Sequence, residues 1–320
     1  MKYLIFIIAI FITIPSFAKV KKVQIKCPNF KKSIHIKEIY LLEDNINCET
    51  ISIYNRTIDE LSNLSSIKIP LITFSLSKSG DDAMNRVEHI EIPDELMSFD
   101  QNGEYILSNN LKLNYLAHEY GHSIFNKFIE KEFKELRPAL EGIQHFNELY
   151  FERYDAEIAH HQQRVNELNL QIDNEELDFY TNDEILSPLK HILTYSELFS
   201  DLVAVLYSND LKGFAKTFYR DGSNQSFIER ASFRDFSATH DLDTWTNTDR
   251  HSFFAPTKSF IGTFLKFPMT IEKKRSLLTH IGKIITEQII ETWNQNELSS
   301  KQLNIMLIEK INKALVQGVI

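Results

Sequence analysis

Apolar residues in this chain recur with two different periods, and the changes of period mark out its elements. Leu113, Leu116, Ala117, Tyr120, Ile124 and Phe128 fall three and four apart, the spacing that gives a helix one buried face. Ser108, Asn109 and Asn110 precede this run as candidate N-caps. The helical period returns at Leu198, Leu202, Val205 and Leu206, which predicts a buried helix after a loop marked by Asn182-Asp183-Glu184 and Ser187-Pro188. It returns again at Leu277, Leu278, Ile281, Ile284, Ile285 and Ile289, and at Leu303, Met306, Leu307, Ile311 and Leu315, stripes that read as core. Thr57 and Glu60 are spaced as a capping box and predict a helix start. Residues 127–180 form a charged helical region, whose His160-His161 pair reads as part of a solvated face.

Period two appears at Val23 and Ile25 and at Ile34 and Ile36, which predicts strands in a small N-terminal segment. Residues 70–76 read as a strand and Ser79-Gly80-Asp81-Asp82 as a turn. Residues 87–93 read as a second strand, ended by Pro93 and therefore at a sheet edge. The sum is an α+β, predominantly helical chain with a small N-terminal sheet.

Composition adds compartment and excludes some partners. With 320 residues and 43% hydrophobic content, the chain can bury a sizeable core. A formal charge of −9 without a dominant basic patch argues against a nucleic-acid partner. Lys2, the apolar run from Leu4 to Ile14, and Ser16-Phe17-Ala18 before Lys19 read as a cleaved signal peptide. The run is too short for a comfortable membrane span, so no stable span is expected after cleavage. Export to the periplasm or the exterior follows. Cys27 and Cys48 are the only cysteines, and an even pair in an exported chain reads as one disulfide. It is expected to contribute about 2–4 kcal/mol.

The chemistry lies in His118-Glu119-Tyr120-Gly121-His122. Residues four apart on a helix share a face, so His118 and His122 can offer nitrogens to one metal ion. Glu119 projects beside that face as a candidate general base. Gly121 is a poor helix residue, costing about 1 kcal/mol relative to Ala, and its presence suggests that an ion or a neighbouring backbone needs the room. A catalytic zinc takes three protein ligands. The metzincin pattern would need Gly at 125 and His at 128, where the chain has Phe125 and Phe128. Glu197 and Asp201 sit four apart on the second apolar helix, and a carboxylate pair there is costly to bury unless paired or bound to metal. Glu148, Glu152 and Glu157 are competing third ligands.

Through His118-Glu119-x-x-His122 and Glu197-x-x-x-Asp201, the chain resembles the gluzincins, the thermolysin-like clan of zinc peptidases. The two motifs cover a small part of the chain. The resemblance implies a zincin-like fold and one zinc per chain on His118, His122 and Glu197. It implies that Glu119 is the general base and that Asp201 orients a ligand histidine. It also implies that the edge strand before the zinc helix, placed at residues 87–92, binds extended peptide by strand addition. The expected organisation is a signal peptide at 1–18, a disulfide-stapled segment at 19–50 and a gluzincin-like catalytic domain at 51–320, with a helical insertion at about 127–185.

Hydrolysis also needs a donor for the oxyanion. Arg250, His251, His240 and Tyr195 are candidates; His251 is preferred because it follows a polar loop and opens an apolar segment. The expected function is that of an exported zinc metallopeptidase acting on peptide or protein substrates. The alternatives are a non-catalytic, zinc-stabilised binding scaffold at the cell envelope and a metal-dependent cell-wall amidase.

Overall fold

The computed structural model describes residues 20–320, apart from positions 28, 44, 45, 69, 70, 81, 82, 101, 102, 219–224, 248, 294, 296 and 297. The expected signal segment and Asp81-Asp82 of the expected turn lie outside the described residues. The fold is mixed α+β and mainly helical, as the two periods suggest. After β1 (Lys21–Lys22) and the short helix α1 (Val23–Lys26) come β2 (Ile36–Leu41), α2 (Cys48–Ser62), β3 (Ile72–Gly80), β4 (Met84–Arg86), β5 (His89–Asp100) and β6 (Gly103–Ile106). The helices that follow are α3 (Asn109–Glu132), α4 (Arg137–Ile158), α5 (Gln162–Thr181), α6 (Asp183–Ser208), α7 (Gln225–Ser232), α8 (Ala255–Phe264), α9 (Ile271–Thr292) and α10 (Ser300–Val316). Among the described residues no helix is long and apolar enough to cross a membrane.

The sheet order is β1-β2-β3-β5-β4, with β6 pairing the far end of β5. β2, β3 and β5 run parallel, while β1 and β4 are antiparallel to their neighbours. The expected edge strand is therefore displaced by one: β5 is interior, and β4 takes the edge. Pro93 does not end β5, and the peptide directions explain why. Glu88 O accepts from Thr73 N, so residues 88, 90 and 92 turn their peptide groups to β3, and 89, 91 and 93 turn theirs to β4. β4 ends opposite Glu91, so the N–H that Pro93 lacks has no ladder to break.

Further expectations move: Ser79 and Gly80 of the expected turn lie in β3, and the expected loop at 182–188 is the start of α6, which Asn182 caps and which runs through Pro188. Val23 and Ile25 lie in a helical turn, since two alternating residues are too few to fix a period. α2 begins at Cys48, where Asn47 Oδ1 accepts from Glu49 N; Thr57 lies mid-helix and buried, 3.4 Å from Tyr207 Oη. The disulfide joins Cys27 to Cys48 and so ties the end of α1 to the start of α2.

β4 is fastened to α3 through one side chain. Asn85 Nδ2 donates to Glu119 O at 2.8 Å and to Ser123 Oγ at 2.7 Å. Ser123 Oγ donates to Val87 O at 2.7 Å, and Val87 N donates to Asn85 Oδ1. This network holds Val87 at φ 62°, a region that a β-branched residue rarely enters, and fixes the edge strand relative to Glu119. The main core runs from the inner face of the sheet through α3, α6, α9 and α10. α4 and α5 pack on each other and on the start of α6 through their own small core, including Phe146, Leu168, Ile172 and Phe179.

On the sheet side of α4, His89 is buried 2.7 Å from Ser75 Oγ, and burial pushes its pKa down to about 3. The unfolded chain binds this proton from about pH 6.5 downward. His89 should therefore make stability fall as pH drops from about 6.5 toward 3, and His89→Gln should flatten that part of a urea-midpoint profile.

Candidate metal centre

α3 and α6 pack face to face, and Gly121 is what lets them. A Cβ built on Gly121 would lie 2.7 Å from Ser200 Cα, so the residue makes room for a neighbouring backbone. Gly121→Ala is expected to push the two helices apart and cost about 1–3 kcal/mol in urea unfolding.

This close approach brings the two sequence motifs together. His118 and Glu197 are buried and His122 nearly so, and one ligand atom from each lies within 4.8 Å of the others. The Nε2 atoms of His118 and His122 are 3.1 Å apart. His118 Nε2 is 3.4 Å from Glu197 Oε2, and His122 Nε2 is 4.0 Å from Glu197 Oε1. A tetrahedral metal at about 2.0–2.2 Å from each donor requires neighbouring donors roughly 3.3–3.6 Å apart, so the arrangement fits one ion. It is the one such group of three among the described residues. Glu148 and Glu152 are exposed on α4, Glu152 pairing with Arg164, and neither they nor Glu157 belongs to the group.

The far nitrogen of each histidine is also held. His118 Nδ1 lies 2.9 Å from Asp201 Oδ1, and His122 Nδ1 lies 2.6 Å from Ser196 Oγ. Such partners fix the ring orientation that ligation needs. Phe214 stacks on the His118 ring at 4.3 Å. Burial works against the charged form of His118, but hydrogen bonds to Asp201 and Glu197 raise its pKa to about 9. Burial, reinforced by the neighbouring His118 charge, pushes His122 down to about 3. Without metal the proton of the pair therefore belongs to His118, and a metal bound here would displace it.

Two cations that the sequence reading missed complete the surroundings. Arg234, after α7, donates from Nη1 to Asp201 Oδ1 at 2.6 Å and to Glu197 Oε2 at 3.4 Å. Its guanidinium packs over Phe214 and Phe218. Lys258 on α8 is 1% exposed and uses three partners: Asp201 Oδ2 at 2.5 Å, His251 O at 2.8 Å and Phe233 O at 3.1 Å. Burial opposes ionisation of Asp201, but Arg234 and Lys258 hold its carboxyl far below the usual range. Glu197 is likewise held well below it, by hydrogen bonding to His118 and by Arg234, against the opposing effect of burial. The one charged residue among residues 255–264 was the visible signal for Lys258; Arg234 left none.

Of the oxyanion candidates, His251 and Arg250 reach the site. His251 Nε2 is 3.5 Å and Arg250 Nε 3.8 Å from Glu197 Oε1. Burial and the nearby Arg234 lower the His251 pKa to about 4, leaving a neutral ring whose Nε2 accepts from Arg250 Nε at 3.1 Å and whose Nδ1 lies 3.5 Å from Asp249 Oδ1. Tyr195 points elsewhere, its hydroxyl accepting from Gln288 Nε2 in the core. His240 contacts Ser232 O and packs on Trp245. Glu119 is buried beside His118 and contributes to raising that histidine's pKa.

Searches against family models, curated proteins and solved structures find no match to this chain.

Proposed function

We propose that this chain is an exported, zinc-dependent peptidase. The observation that carries the reading is the convergence of His118, His122 and Glu197 on one ion-sized space, with Glu119 on the same helix. Two imidazoles and one carboxylate, each imidazole with its second nitrogen held, suit zinc. When bound, zinc supplies Lewis acidity that polarises a carbonyl and lowers the pKa of water. Glu119 takes a proton from the attacking water and delivers it to the leaving nitrogen. The C–N bond breaks, the hydroxyl stays on the acyl carbon, and the proton leaves with the amine. His251, once Arg250 Nε leaves its Nε2, donates from that nitrogen to the oxygen that becomes negative. Asp201 holds the His118 ring, and Arg234 and Lys258 hold Asp201. β4, pinned to Glu119 through Asn85, offers an edge for an extended substrate. The Cys27–Cys48 disulfide supports an oxidising compartment and hence export.

The test is digestion of a mixed peptide library and of purified peptidoglycan, side by side, with and without a chelator. Chelator-sensitive cleavage of peptides supports the reading. Release from peptidoglycan alone would make the chain a cell-wall amidase, and no cleavage of either would favour a binding scaffold.

A further inference from the structure

Buried charges of both signs meet at the metal centre. The protein carries a formal charge of −9. At the metal centre, however, the buried carboxylates of Glu119, Glu197 and Asp201 face the buried cations Arg234 and Lys258. A bound dication would turn that small negative balance positive. Arg250 then adds a further positive charge at the rim.

Arg250 is placed to use that charge on a ligand. Its side chain is 52% exposed, and its Nε lies 3.8 Å from Glu197 Oε1 and 3.1 Å from His251 Nε2. Neither of its Nη groups makes a hydrogen bond to a described residue. The neighbouring acid, Asp249, is engaged with His251 instead: its Oδ1 accepts from His251 N at 3.0 Å. The loop beneath is anchored, since Lys258 Nζ donates to His251 O. The paired outer donors of a guanidinium match a carboxylate in geometry and charge, and a fixed loop lowers the ordering cost of that match.

We propose that Arg250 is the receptor for a free carboxylate on the substrate, so that the site takes peptides bearing an acidic side chain or a terminal α-carboxylate within about two residues of the cut bond. This rests on the peptide hydrolysis proposed above.

The test uses the zinc-supplemented full chain and matched peptides. One arm compares Asp and Glu with Asn and Gln at positions flanking the scissile bond, and the other compares free with amidated C-termini. We expect kcat/KM at least tenfold higher for the carboxylate member in one of the two arms, which identifies the source of the carboxylate. In Arg250→Gln that ratio should fall to near one, and in Arg250→Glu the preference should shift to Lys-bearing peptides. Equal cleavage of matched peptides, or a preference that survives in Arg250→Gln, overturns the assignment. Direct binding of the same labelled peptides separates the two claims. With no hydrolysis at all, tighter binding of the carboxylate member that is lost in Arg250→Gln keeps the receptor and rejects the peptidase. No difference in binding rejects the receptor as well.

Discussion

Glu119→Gln is expected to keep its metal and lose turnover by about 10²–10⁴-fold, the usual contribution of a positioned general base. The amide keeps the size and most hydrogen-bonding capacity of the carboxylate but cannot accept a proton from water. The donor set of His118, His122 and Glu197 is untouched. The backbone is untouched too: Asn85 bonds to the Glu119 carbonyl, not to its side chain, so the edge strand stays in register with the helix. Metal content measured beside kcat separates chemistry from binding. A variant with full metal and wild-type kcat would remove Glu119 from the mechanism.

The second large effect is on stability. Arg234→Met is expected to destabilise the metal-free protein by about 3–5 kcal/mol, because it strips a buried carboxylate pair of one cation. Arg234 contacts Asp201 at 2.6 Å and Glu197 at 3.4 Å, in surroundings where water cannot take over. Lys258 still pairs with Asp201, but Glu197 keeps only His118, at 3.4 Å, as a buried positive neighbour. Methionine fills most of the volume over Phe214 and Phe218, so the change is chiefly electrostatic. Saturating zinc should recover part of the loss, because a dication returns positive charge to Glu197 and binds only the folded chain. Urea unfolding with and without zinc measures both effects. Equal stability of the metal-free variant and wild type would show that Arg234 does not hold the carboxylates.

The centre of the site was legible in the sequence because helical spacing is local. His118 and His122 share a face whatever the rest of the chain does, and so do Glu197 and Asp201. That the two faces meet is a tertiary fact; Gly121, read as room for an ion or a neighbouring backbone, was its one local trace, and the backbone of Ser200 is what fills the room. Arg234 and Lys258 were missed because they enter from different elements, α8 and the loop after α7, and no spacing links them to Asp201. The edge strand was misplaced because a proline inside a parallel sheet is readable only once the neighbour on its N–H side is known. The start of α2 was misplaced for a related reason: Thr57 has the spacing of a cap, but it is a buried mid-helix residue close to Tyr207.

The claim on which the rest depends is that His118, His122 and Glu197 hold one metal ion. Zinc content per chain of the purified protein, beside that of Glu197→Ala, tests it most directly. About one zinc per wild-type chain and much less in the variant is the expected result. Zinc in neither protein, or zinc fully retained without Glu197, would contradict it.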